Sequence, residues 1–157
     1  LPQTQLLKLA SDPHREVRLR VAQRLAPPEL AAMHTDADYG VRELVAQRLS
    51  PVLMPTMMGD PDRAVRMRVA QRLEMPALLR MADDAEPEVR RIVAERLPVP
   101  LLLRMARDVD WRVRWEVTQR ADTATLDAMR HDEEPEVRQA VQERLADNVV
   151  FMGVANG

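Results

Sequence analysis

Glu88-Val89-Arg90-Arg91-Ile92-Val93-Ala94-Glu95-Arg96-Leu97 carries its apolar residues at 89, 92, 93 and 97. That spacing of i, i+3, i+4 and i+8 marks one face of an α-helix, and strand alternation fails against it. The stretch returns every 24 residues without insertion or deletion. Val-Arg recurs at Val17-Arg18, Val41-Arg42, Val65-Arg66, Val89-Arg90, Val113-Arg114 and Val137-Arg138. Asp12, Asp36, Asp60, Asp84, Asp108 and Asp132 keep the same phase, as do Arg24, Arg48, Arg72, Arg96, Arg120 and Arg144. Aliphatic columns run beside them: Val21 to Val141, Leu25 to Leu145 (with Ala121 in the fifth copy), Leu6 to Leu126, and Leu9 followed by Met33, Met57, Met81, Met105 and Met129. So many columns in register over six copies exclude chance, and a fixed period of this size means a stacked array.

The local signals place the helix within each copy. Asp12-Pro13 and Asp60-Pro61 read as an N-cap Asp followed by Pro at the first helical position. Proline after the Leu column, as in Pro27-Pro28, Pro51, Pro76, Pro98 and Pro100, stops the helix. About a dozen residues remain for the return, enough for one or two turns, so a short 3₁₀ segment is expected there. No copy can bury its own Val/Leu stripe, whereas stacked copies make a continuous core. The reading is an all-α solenoid, HEAT/armadillo-like, of alternating α- and short 3₁₀-helices coiled as a right-handed superhelix. Six units occupy 1–25, 26–49, 50–73, 74–97, 98–121 and 122–145. Residues 146–157 are expected to form a C-terminal cap or the start of a degenerate seventh unit. Leu1-Pro2 lies in the phase of Leu97-Pro98, so a further repeat or domain is expected upstream.

Composition narrows the function. Formal net charge is −2 although 31% of residues are charged, which argues against a protein that coats nucleic acid or an anionic membrane. The absence of Cys removes disulfides, thiolate zinc sites and Cys nucleophiles, and fits a reducing, cytoplasmic setting. No apolar run approaches the ~20 residues of a membrane helix.

The pattern Asp-Pro-x-x-x-Val-Arg-x-x-Val-Ala-x-Arg-Leu, followed by Leu-x-x-Leu or Leu-x-x-Met, resembles the leucine-rich repeat variant family over nearly all of Leu1 to Leu145. The resemblance implies α- and 3₁₀-helices alternating in a right-handed superhelix, without the β-strands of ordinary leucine-rich repeats. It also implies, from one member, a Cys-ligated iron–sulphur (4Fe–4S) module ahead of the repeats. With no Cys here, no cofactor ligand carries over, and any such cluster lies upstream of Leu1. The Asp…Val-Arg element resembles HEAT-like repeats, including helical-repeat DNA glycosylases, more weakly, since their period is longer.

Two kinds of candidate residue follow. The Asp12 to Asp132 column and the Arg18, Arg42, Arg66, Arg90, Arg114 and Arg138 column form either an anion-binding ladder or a structural one. Equal numbers in phase favour Arg–Asp pairing within or between units. Trp111 and Trp115, four apart on one helix face beside Arg112, stand in columns that vary between copies, with Tyr39 and Met67 as counterparts. These five are the candidate partner-binding residues. His14, His34 and His131 fall in different columns, so no metal site is expected, and no nucleophile–base pair or phosphate loop is present. The function expected is a non-catalytic scaffold for a protein partner. The alternatives are a nucleic-acid-binding repeat protein and an accessory domain of an iron–sulphur redox protein.

Overall fold

The computed structural model describes Leu1 to Ala155, and its described residues are helices joined by short turns. In chain order the first unit, Leu1–Met81, contains α1 (Gln3–Leu9), α2 (Arg15–Arg24), α3 (Pro27–Leu30), α4 (Tyr39–Arg48), α5 (Arg63–Arg72) and α6 (Ala77–Arg80). The second, Ala82–Gly157, contains α7 (Pro87–Arg96), α8 (Trp111–Arg120), α9 (Thr123–Ala128) and α10 (Pro135–Ala155). The returns are 3₁₀ at Ala31–Met33, Pro51–Met57, Met81–Asp83 and Val99–Met105, and α-helical in α1 and α9. Prolines 51, 55, 98 and 100 remove amide donors from these returns, so only short or 3₁₀ segments form. Among the described residues no helix is long and apolar enough to cross a membrane.

The long helices stack side by side within each unit: α2 on α4 and α4 on α5 in the first, α7 on α8 and α8 on α10 in the second. Their Val and Leu columns are buried as the spacing predicts, with Val45, Val69, Val93, Val117 and Val141 fully out of solvent. The return segments contribute Leu30, Met54, Leu102 and Leu126, and the Met column from Met33 to Met129 is core. Ala22, Ala46, Ala70 and Ala94 are also fully buried. These small side chains let neighbouring helices approach closely.

The helix start differs from the sequence reading. The Asp column does not cap the helices. Each helix begins two residues later, with Asp38, Asp62 and Asp110 as the N-caps whose carboxylates accept from amides of the first turn. The column Asp instead closes a turn: Asp36 Oδ1 accepts from the Asp38 amide at 2.8 Å, and Asp12, Asp60, Asp84, Asp108 and Asp132 repeat the bond. Pro87 and Pro135 therefore hold the first helical position, while Pro13 and Pro61 lie in the preceding loop. The spacing alone hid this because an Asx turn and an N-cap use the same residue types.

α10 does not stop where its counterparts do. No proline follows Leu145, and the helix runs 21 residues to Ala155. The tail placed at 146–157 is thus helical up to Ala155, its last two residues lying outside the described residues. Val149, Val150, Phe151, Met152 and Val154 on it are exposed.

Candidate functional site

The Arg and Asp columns meet across neighbouring repeats. Arg18 donates from Nε to Asp36 Oδ2 at 2.8 Å and from Nη2 to Asp36 Oδ1 at 3.2 Å, while its Nη1 reaches the Asp12 carbonyl at 2.9 Å. Arg42 repeats the arrangement on Asp60, Arg90 on Asp108 and Arg114 on Asp132. Arg66 and Arg138 donate to the carbonyls of Asp60 and Asp132 at 2.8 and 2.6 Å. One guanidinium thus joins the loop of its own repeat to the loop of the next, in the two-point geometry that suits Arg and carboxylate. Arg114 and Asp132 are each only 7% exposed at the side chain. The bond to Asp raises the pKa of Arg18, Arg42, Arg90 and Arg114, fixing their charge. Burial pushes Asp132 up, but the Arg114 bond and the Glu134 amide outweigh it and leave the carboxyl below its ordinary value.

The second Arg column reaches the other end of the neighbouring helix. Arg48 donates to the Ala22 carbonyl, and Arg72 to the Ala46 carbonyl at 2.8 Å. Arg120 donates to Ala94, Glu95 and Leu97, and Arg144 to Thr118 and Ala121. These are the carbonyls that a helix C-terminus leaves without intrahelical donors. Neither column is therefore an open row of cations. Arg18, Arg42, Arg90 and Arg114 of the first column and Arg48, Arg72, Arg120 and Arg144 of the second are occupied in joining repeats, which weakens the geometric support for a phosphate-binding ladder.

The outward face is built differently. Tyr39 is 53% exposed and Met67 half-buried, both in the first unit. In the second, α8 carries Trp111, 39% exposed, and Trp115, half-buried, one turn apart. Arg112 is exposed but not free: Nε and Nη2 donate to Asp110 at 3.1 and 2.8 Å. Arg112 and its amide together pull the Asp110 carboxyl down to about 2. The structure thus joins Trp111, Trp115 and Arg112 on one helix and places Tyr39 and Met67 in the other unit.

Trp115 also lines a 410 Å³ groove with Gln119 of α8 and Glu136, Gln139, Ala140, Glu143, Arg144 and Asp147 of α10. Sequence reasoning missed its acidic wall, because Glu143 and Asp147 fit no repeated column of carboxylates. One signal was present. The column of Gln23, Gln47, Gln71 and Gln119 holds Glu instead at Glu95 and Glu143. Where α8 meets α7, burial and the neighbouring Glu95 raise the pKa of Glu116, against the pull of Arg91. Among the described residues no His, Asp or Glu group is arranged to hold a metal ion. With no Cys in the chain, its residues do not fit an iron–sulphur cluster.

Comparison with known proteins agrees with this architecture. A family model described as leucine rich repeat variant matches residues 87–110, the span of one repeat. A solved structure described as a leucine-rich repeat variant with a novel repetitive protein structural motif is 44% identical, with a TM-score of 0.86 over 92% of this chain. The chain spans 61% of that one. No curated protein matches it.

Proposed function

We propose that this chain, which belongs to the leucine-rich repeat variant family, works as a non-catalytic scaffold that binds a protein partner through the outward face of its long helices. One observation carries the reading. The invariant polar columns are committed to joining repeats, whereas the columns facing outward change from copy to copy and hold the exposed aromatics Tyr39 and Trp111. A residue type required in every copy is explained by the construction of the copy. Residues that vary on a rigid surface are free to serve recognition, and Trp is the side chain most enriched where binding energy concentrates. Repeat stacks present such surfaces without needing any chemistry.

The test is affinity capture with the immobilised chain and with Trp111→Ala plus Trp115→Ala, each checked for helicity by circular dichroism. The expected result is a protein retained by the wild-type chain and lost with the double variant, unaffected by nuclease treatment. Retention that depends on nucleic acid, or that ignores both tryptophans, overturns the proposal.

A further inference from the structure

We infer that the groove between α8 and α10 receives the cationic side chains of a basic peptide segment on the partner, an inference that rests on the scaffold reading above. The groove has one aromatic wall and one acidic wall. Trp115 supplies the first. Glu136, Gln139, Glu143 and Asp147 supply the second, at i, i+3, i+7 and i+11 on one face of α10.

The carboxylates here differ from those of the repeated Asp column. Asp36, Asp60, Asp108 and Asp132 are each matched by a guanidinium. Among the described residues no Lys or Arg forms an ion pair with Glu136, Glu143 or Asp147, and Glu143 is met only by the amide of Gln139 at 3.0 Å. The one cation lining the groove, Arg144, is drawn off to the carbonyls of Thr118 and Ala121. The surroundings deepen the imbalance: Ala82–Gly157 carries 11 Lys or Arg against 16 Asp or Glu. A hydrogen bond shared between the carboxyls of Glu134 and Glu136 lowers the pKa of Glu136 and raises that of Glu134.

An aromatic face beside carboxylates that, among the described residues, form no ion pair is the environment a guanidinium or ammonium group seeks. The ring quadrupole attracts it from one side and the carboxylates from the other. The same field repels nucleic acid and anionic lipid. Complementary charge of this kind steers encounter and fixes the register of a bound segment.

Trp111 and Trp115 are the only tryptophans of the chain, so Trp111→Phe leaves Trp115 as the sole reporter inside the groove. In that background, titration with a hexa-arginine peptide at about 0.15 M salt is expected to change Trp115 fluorescence saturably, while hexa-glutamate does nothing. Glu143→Gln plus Asp147→Asn, which keep size and lie on the exposed side of α10, are expected to weaken the peptide at least about tenfold. Trp115→Leu, followed by calorimetry and checked for helicity, should weaken it about fivefold. No saturable change, or affinity indifferent to the carboxamide pair or to Trp115→Leu, overturns the inference. If capture of a Trp-dependent partner persists while hexa-arginine fails, the groove assignment falls and the scaffold reading stands. If hexa-arginine binds but no partner is captured, the scaffold reading falls instead.

Discussion

A single guanidinium in this fold carries three obligations: it pairs with the Asp of the next repeat, donates to a carbonyl of its own loop, and shields both from water. Arg114 is the clearest case, with Asp132 at 2.8 and 2.9 Å and the Asp108 carbonyl at 2.8 Å. Truncating one partner of a buried pair leaves an uncompensated charge, so Arg114→Met is expected to cost about 3 kcal/mol in urea unfolding. Arg114→Met with Asp132→Asn should cost less than the two single changes added together, because the second change removes the stranded anion. A strictly additive cycle would mean that the pair is not coupled. Asp110 shows the same logic at a cap. Its carboxylate bonds the Arg112 amide and side chain, which hold it at about 2. A carboxyl depressed in the folded state contributes stability that is complete above its unfolded pKa near 4 and is lost as pH falls through its folded value. Asp110→Ala is therefore expected to cost about 1 kcal/mol at neutral pH, and its deficit relative to wild type should shrink between pH 4 and 2. A deficit that stays constant through that range would refute the cap assignment.

The long helices show how propensity and context divide the work. Their first position holds Pro in α7 and α10 but Arg15, Tyr39, Arg63 and Trp111 elsewhere. Asp38 before Tyr39 sits at φ −89°, ψ 125°, a region compatible with a following proline. Tyr39→Pro is thus expected to leave stability within about 1 kcal/mol of wild type or raise it, by restricting the unfolded chain, whereas Leu44→Pro in the helix interior should cost about 3 kcal/mol or more. Thermal melts of the two variants separate the cases, and a large loss for Tyr39→Pro would place the helix start wrongly. The period and the aliphatic stripe were legible because six copies repeat them, and the proline stops because most copies do. The start of the helix was less so, since Asp36 and Asp38 offer the same chemistry two residues apart and only the inter-repeat Arg decides which one turns the chain. The tryptophans were visible as departures from their columns. The acidic wall facing Trp115 was not, because it runs from Glu136 and Glu143 of the sixth repeat into Asp147, where α10 continues past the last full repeat.

At the scale of the molecule, stability is set by neighbours rather than by one central core. Leu30 and Leu126 occupy the same column and are both fully buried, one in each compact unit. Each packs within its own unit, where α3 lies against α4 and α9 against α10. In a stack whose repeats contact only adjacent repeats, stability is a sum of local and interface contributions. Leu30→Ala and Leu126→Ala should each cost about 3 kcal/mol from lost transfer energy and the cavity left behind. The consequences should nonetheless stay local. Native-state amide exchange is expected to lose protection in α2 and α4 for the first and in α8 and α10 for the second, with the opposite unit unchanged. Uniform loss across all ten helices would instead mean that the chain opens only as a whole. Locality of this kind lets the outward columns vary: a substitution such as the one that placed Trp115 where another copy has Met67 perturbs only adjacent helices, so recognition can be altered in one repeat while the Arg–Asp joints of the rest hold their geometry.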